Sequence, residues 1–179
     1  MTKHANIMNH SYSIRPCVAG DEQALSLVGQ ATFLESLAGF VDGPDILEHC
    51  RHQHSPELYA DWLRRPGTQL WLAEARPGGA PVGYLALSPS DIDDDQHAVR
   101  IQRLYLLHRF HGQQLGRRLM DAALSHARRQ RKQRAVLCVY VKNLDGLAFY
   151  HRYGFLIAGA RSYNVNGTDY DNHVMAIQL

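Results

Sequence analysis

The apolar and polar positions of this chain are ordered in a way that sets out elements one after another. Tyr12 to Pro16 reads as a short strand. Ala19-Gly20-Asp21-Glu22 then resembles a helix start, with acids in the first turn ahead of Ala24, Leu25, Leu27 and Val28. From Phe33 to Arg65 the pattern is irregular, broken at Gly39, Gly43-Pro44 and Ser55-Pro56, and helical spacing returns in Leu58, Tyr59, Trp62 and Leu63. Short helices are expected there. Gln69 to Ala75 and Pro81 to Leu87 are β-leaning apolar runs joined by Arg76-Pro77-Gly78-Gly79, which is hairpin chemistry. An acidic stretch, Pro89 to Gln96, predicts an exposed turn. His97 to Leu107 alternates before closing on Leu104-Tyr105-Leu106-Leu107, an apolar run that predicts a buried central strand.

The second half alternates strand and helix. Leu115, Leu119, Ala122, Ala123 and Ala127 recur every three or four residues, which puts an apolar stripe on a helix over Gly112 to Arg131. Ala135 to Val141 predicts a strand, Leu144 to Arg152 a short helix, and Gly154 to Ala160 and Asp171 to Gln178 two more strands. A run of strands followed by alternating β and α units argues for an α/β or α+β sandwich around one mixed sheet. No repeat or linker divides the chain, so residues 12–179 are expected to form one domain behind a flexible segment, 1–11.

Composition narrows the class without naming a function. With 179 residues, 45% apolar and 20% charged, the chain has globular proportions and is long enough for a full core. No stretch approaches the ~18 apolar residues of a spanning helix, and the start lacks the apolar region of a secretory signal, so no membrane partner and a cytoplasmic location are expected. Three cysteines without CxxC spacing indicate neither a disulfide framework nor a zinc ribbon. The net charge of +2 says little, but its distribution is uneven: residues 100–134 hold ten Lys or Arg against one acid, Asp121. An anion docking there is one reading, and a solvated helix face balanced by Asp91, Asp93, Asp94 and Asp95 is the other.

The junction that carries chemistry runs from the strand ending at Leu107, through His108-Arg109-Phe110, into His111-Gly112-Gln113-Gln114-Leu115-Gly116 and the basic helix. A helix N-terminus presents unpaired N–H groups and a positive dipole end, and glycines let phosphates come close. The pattern suits a pyrophosphate cradle. There is no GxxxxGK[ST] and no GxGxxG, so neither a P-loop nor a dinucleotide-binding reading is supported.

This junction resembles the acetyl-CoA motif of the GNAT acetyltransferases, a bulged strand leading into a [QR]xxGx[GA] loop and helix. His111 takes the Gln/Arg place, Gln114 the first Gly place and Gly116 the second, so the first two depart from the pattern. Downstream, Asn143-Leu144-Asp145-Gly146-Leu147-Ala148-Phe149-Tyr150 followed by Tyr153-Gly154-Phe155 resembles the family's N-x-x-A-x-x-F-Y-x-x-x-G-F segment, with Gly146 in the Ala place. The resemblance extends from Ser13-Ile14-Arg15-Pro16, through Trp71-Leu72-Ala73-Glu74, Gly83-Tyr84 and Arg103-Leu104-Tyr105-Leu106, to His173-Val174-Met175. The phrase Arg103-Leu104-Tyr105-Leu106 looks like the branch that includes polyamine acetyltransferases.

The resemblance implies a mostly antiparallel sheet of six to seven strands flanked by helices, with a bulge in the central strand. It implies an N-acetyltransferase moving the acetyl group of acetyl-CoA to a primary amine of a small molecule or peptide, with no metal and room for a homodimer. The main chain of Leu104, Tyr105 and Leu106 would pair with the pantetheine arm and acetyl oxygen. His111, Gly112, Gln113, Gln114, Leu115, Gly116 and Arg117 would cradle the pyrophosphate, with charge from Arg118. Asn143 would meet the CoA arm and Tyr150 would protonate the leaving thiolate.

The base that deprotonates the amine is not identified by any motif; Glu35, Asp93 and His97 are candidates by rough position. Glu48, His49, Cys50, His52 and His54 have metal-ligand types but no defined ligand set, and contact with the acceptor fits them better. Two alternatives stay open: a CoA-binding module of this fold without turnover, raised by Gln114, and a nucleic-acid-binding protein using the basic segment, which lacks interleaved aromatics beyond Tyr105 and Phe110 and any recognition motif.

Overall fold

The computed structural model describes residues 11–39, 41–92, 95–165 and 168–179, with backbone alone for 164, 165 and 168. Residues 1–10 of the expected N-terminal segment lie outside it. Seven strands make one sheet in the order β1-β2-β3-β4-β5-β7-β6. They are β1 (Tyr12–Pro16), β2 (Gln69–Ala75), β3 (Ala80–Pro89), β4 (Ala98–Leu106), β5 (Arg134–Tyr140), β6 (Leu156–Val165) and β7 (Thr168–Gln178). Five α-helices flank it: α1 (Glu22–Leu37), α2 (Gly43–Gln53), α3 (Pro56–Arg64), α4 (Leu115–Arg129) and α5 (Leu144–Tyr153).

Why β2 is apolar at successive positions is plain from its two faces. Trp71 and Ala73 join the core beneath α4, with Leu85, Leu119, Leu124 and Phe155. Leu70 and Leu72 join a second core beneath α1 and α3, with Leu25, Val28, Tyr59 and Tyr84. A strand covered on both sides has no polar face to alternate with. The predicted elements are recovered within a few residues, while β6 runs on through the polar Arg161 to Val165, where pairing with β7 rather than apolar pattern sustains the strand.

All neighbouring pairs are antiparallel except β4 and β5, which α4 connects as a parallel crossover. Two irregularities shape β4. Its register against β3 slips between Ala86, opposite Arg103, and Leu87, opposite Ile101, which makes Gln102 the extra residue of a bulge. The bulge thus lies upstream of Leu104–Leu106. On the other edge, pairing with β5 covers only Ala98, Val99 and Arg100, opposite Arg134, Ala135 and Val136. Beyond that the two strands part.

Candidate active site

Three elements meet where β4 and β5 separate. Leu107 N–H donates to Val82 O on β3 at 2.9 Å. Main-chain groups alternate sides along a strand, so Tyr105 also pairs toward β3, whereas Leu104 and Leu106 turn theirs to the side β5 has vacated. The expectation that the Tyr105 main chain meets the ligand is thereby met by a competing partner, β3, and its ring packs against Tyr84 on the other face. Close approach of β3 here depends on Gly83, where a Cβ would stand 2.7 Å from Tyr105 O. His111 donates from Nε2 to Leu106 O at 2.9 Å, which occupies that carbonyl. Leu104 and the Leu106 N–H remain on the open edge.

The second element is the start of α4. Gln114 precedes the first turn in the left-handed region, with φ 59° and ψ 10°, and its side chain makes no cap. Its place in the motif, normally glycine, thus has the glycine backbone without the glycine. The first amide of the helix with an intrahelical acceptor is Arg118, 3.0 Å from Gln114 O, so those of Leu115, Gly116 and Arg117 have none. Gly112 is also left-handed, at φ 75°, with open space where a Cβ would be. His111, Gly112, Gln113, Gln114 and Arg117 are exposed. Gly116 abuts the Phe149 ring, 3.5 Å from the position of a Cβ, and so also sets the spacing of α4 and α5.

The third element is α5. Asn143 caps it, Oδ1 accepting from Gly146 N–H at 2.9 Å. A Cβ at Gly146 would stand 2.7 Å from Asn143 Nδ2, which accounts for glycine where the motif has alanine. The Asn143 oxygen is therefore spent on the cap, and the exposed amide group is what it can offer a ligand. Tyr150 lies at the far end of α5, where Gly154 and Phe155 donate their N–H groups to its carbonyl at 3.1 and 2.9 Å. Its half-buried ring packs edge-on to Phe149 and Phe155, centroids 5.3 and 5.8 Å away. Among the described residues its hydroxyl has no hydrogen-bond partner. Burial, with Tyr105 nearby, pushes its pKa above the ordinary phenol value, so it stays protonated at neutral pH.

A splayed parallel pair beside an uncapped helix start can be compared with known proteins. The model of the acetyltransferase (GNAT) family matches residues 37–155. The chain belongs to the GNAT family of acetyltransferases. An uncharacterized N-acetyltransferase of Mycobacterium tuberculosis is 30% identical over 145 residues, 81% of this chain and 83% of its own. Among solved structures, PaiA N-acetyltransferase from Thermoplasma acidophilum, in complex with coenzyme A, has TM-score 0.73 at 19% identity, over 94% of this chain and 99% of that one. The yncA protein of Salmonella typhimurium, with its cofactor acetyl-CoA, has TM-score 0.66 at 21% identity, over 94% of both chains. These last two likenesses concern the fold.

On the opposite face of the GNAT sheet, α1, α2 and α3 cover β4. Arg103 reaches into them: Nη1 donates to Gln53 O at 2.6 Å and to Tyr59 OH at 3.0 Å, and the guanidinium lies 4.7 Å from the Trp62 ring centroid. Tyr59 OH also meets Tyr84 OH at 2.7 Å and His54 Nδ1 at 2.9 Å. Burial first, then Arg103 and His49, push the His54 pKa down to about 3. This network went unforeseen in the sequence. A charged residue two before Tyr105 on a central strand was its only signal.

The two base candidates among the described residues, Glu35 and His97, lie apart from each other. Glu35 accepts from His108 N–H at 2.7 Å, on the loop leading to α4. His97 precedes β4, at the end away from Leu106. Asp93 lies outside the described residues. The metal-ligand types also diverge: Glu48 accepts from Arg51 and His52, while His49 stacks on Phe33 with centroids 4.0 Å apart.

Proposed function

We propose that this enzyme transfers the acetyl group of acetyl-CoA to a primary amine by direct attack, the two substrates entering the β4–β5 opening from opposite sides. The observation that carries the reading is the end of β4–β5 pairing at Arg100 and Val136, which leaves open the edge to which the bulge at Gln102 turns the Leu104 and Leu106 main chain. An extended, amide-bearing pantetheine arm pairs with such an edge as a strand would. The pyrophosphate then lies over Gly112 to Arg117, where unpaired amides and the helix dipole favour negative charge, with Arg117 and Arg118 beside it.

Acetyl-CoA supplies an activated acyl group: the amine nitrogen bonds to the acetyl carbon, the carbon–sulfur bond breaks, the nitrogen loses one proton and the sulfur gains one. The protein's own part is at both ends of that exchange. Main-chain N–H groups aimed at the acetyl oxygen stabilise charge as it develops. Tyr150, neutral and without a competing partner, donates its hydroxyl proton to the leaving sulfur. No side chain is assigned as base; bound water suffices for a proton that leaves toward solvent.

The test is release of free CoA thiol from acetyl-CoA, measured with and without each member of a panel of primary amines. Release that depends on an amine supports transfer. A protein that binds CoA but releases no thiol with any of the amines is instead a binding module.

A further inference from the structure

Arg103 lies on the α1–α3 face of β4, with no anion to balance it among the described residues. Its neighbours are neutral: the Gln53 carbonyl, the Tyr59 hydroxyl, the Trp62 and Tyr59 rings and, at 3.4 Å, His54 Nδ1. Nearby carboxylates are engaged elsewhere. Asp91 pairs with Arg100, Asp61 with Arg65, Glu48 with Arg51, and Glu35 with the His108 amide. Among the described residues Arg103 makes no ion pair. A guanidinium carries five donors in a planar fork, and a partly buried one is ordinarily matched by a carboxylate or phosphate.

The surroundings keep the charge from being neutralised by other means. His49 and His54 both border it, and burial together with the Arg103 charge holds each below the ordinary imidazole pKa, so neither adds a competing cation. His49, His54 and Phe33 form a contiguous ring cluster, with His49 and Phe33 stacked and His54 5.3 Å from Phe33. The His54 ring meets Tyr105 at 6.2 Å, and Tyr105 is near enough to Tyr150 to help raise its pKa. Arg103 also adjoins Leu104, whose main chain lies on the open edge. One cation, a neutral aromatic wall and the reacting opening are therefore contiguous.

We infer that the acceptor is an amine that also bears a carboxylate, an amino acid or a short peptide with a free carboxyl group, and that Arg103 binds this carboxylate. The inference rests on the acetyl-transfer reading above and adds the acceptor's class. It runs against the resemblance of Arg103-Leu104-Tyr105-Leu106 to a polyamine-acetylating branch, because a polyamine brings further cations toward an unbalanced one. A carboxylate replaces the solvent around the guanidinium with a two-pronged ion pair and leaves the amine to enter the opening.

The test compares kcat/KM with acetyl-CoA for the standard amino acids, their amides, which keep the amine and lose the charge, and spermidine. The expected result is a preference of about 30-fold or more for the best amino acid over its amide, the low end of what truncating one partner of a buried charge pair costs. Arg103→Gln should erase that preference through KM, and Arg103→Lys should restore part of it. The rise in Tm caused by CoA should survive in both variants, which separates loss of the acceptor contact from loss of fold. Amides or spermidine turned over as well as amino acids, or no carboxylate-bearing amine acetylated, would overturn the assignment while leaving acetyl transfer standing. Absence of a CoA-induced Tm rise in the unaltered protein would contradict acetyl transfer, and the acceptor class with it.

Discussion

On the α4 side of β4 the groups proposed to meet CoA are backbone: the Leu104 and Leu106 main chain and the first-turn amides of α4. On the α1–α3 side the groups proposed to meet the acceptor are side chains, Arg103 with the rings of Tyr105, His49 and Phe33, backed by the buried His54. The difference has a chemical basis. A main-chain edge and a helix start recognise what every CoA shares, amides and phosphates, and need only glycines and a departing strand to expose them. Telling one amine from another requires groups that differ in charge and shape, which only side chains provide.

Breaking the comparison at its centre gives the largest effect. Tyr150→Phe keeps the ring packed against Phe149 and Phe155 but removes the proton donor. Turnover should fall by roughly 10²–10⁴-fold, with CoA affinity and Tm nearly unchanged. An equal loss of CoA affinity would make Tyr150 a binding residue, and undiminished turnover would leave it a packing one.

Next in size is Gly116→Glu, which sets a carboxylate beside the helix-start amides and pushes toward Phe149. The carboxylate would compete with the pyrophosphate for those amides and repel it, so CoA affinity should fall at least about 10-fold, which is about 1.4 kcal/mol. Arg131→Ala, beyond the far end of α4, should change it little. Equal losses by calorimetry would show that diffuse positive charge, not the cradle, holds CoA.

A pH measurement sharpens the acceptor side. His54 stays neutral in the folded protein down to about 3, whereas the ordinary imidazole takes a proton near 6.5. The unfolded chain therefore binds the additional proton, so this contribution is complete above pH 6.5 and is lost as pH falls from there toward 3. Urea unfolding should show stability declining between pH 6.5 and 5, with a slope approaching about 1.4 kcal/mol per pH unit from this group. His54→Gln should flatten that slope. An unchanged slope in the variant would mean that His54 titrates normally.

The smallest effect belongs to Gln114→Gly. A left-handed non-glycine residue costs about 1–2 kcal/mol, partly offset by the greater freedom of glycine in the unfolded chain. Tm should rise by a few degrees and CoA should bind at least as tightly. Weaker CoA binding would identify the Gln114 side chain as a ligand contact.

These contrasts also show what could be read in advance. The CoA side was legible because its determinants are local: a glycine-containing strand-to-helix turn, an apolar stripe from Leu115 to Ala127, and the Asn143 to Phe155 phrase. Even the departure at Gly146 has a local cause, the Asn143 side chain folded over it. What escaped was relational. That Tyr105 pairs toward β3 depends on the bulge at Gln102, which no residue type announces. The Arg103 network joins residues 54, 59, 84 and 103, brought together by pairing β3 with β4 and by packing α3 and the end of α2 over them. Glu35 and His97 are candidates by position along the chain alone, and in the fold Glu35 binds the His108 amide while His97 sits before β4.

The most direct test of the central claim is differential scanning of the unaltered protein with and without CoA. At about a hundredfold excess over its dissociation constant, a ligand that binds only the folded state adds about 2.7 kcal/mol. For a domain of this size that is a Tm rise of roughly 5–10 °C. A rise of that size, reduced in Gly116→Glu and kept in Tyr150→Phe, is the predicted result. No shift at millimolar CoA would contradict the assignment of the β4–β5 opening as its binding site.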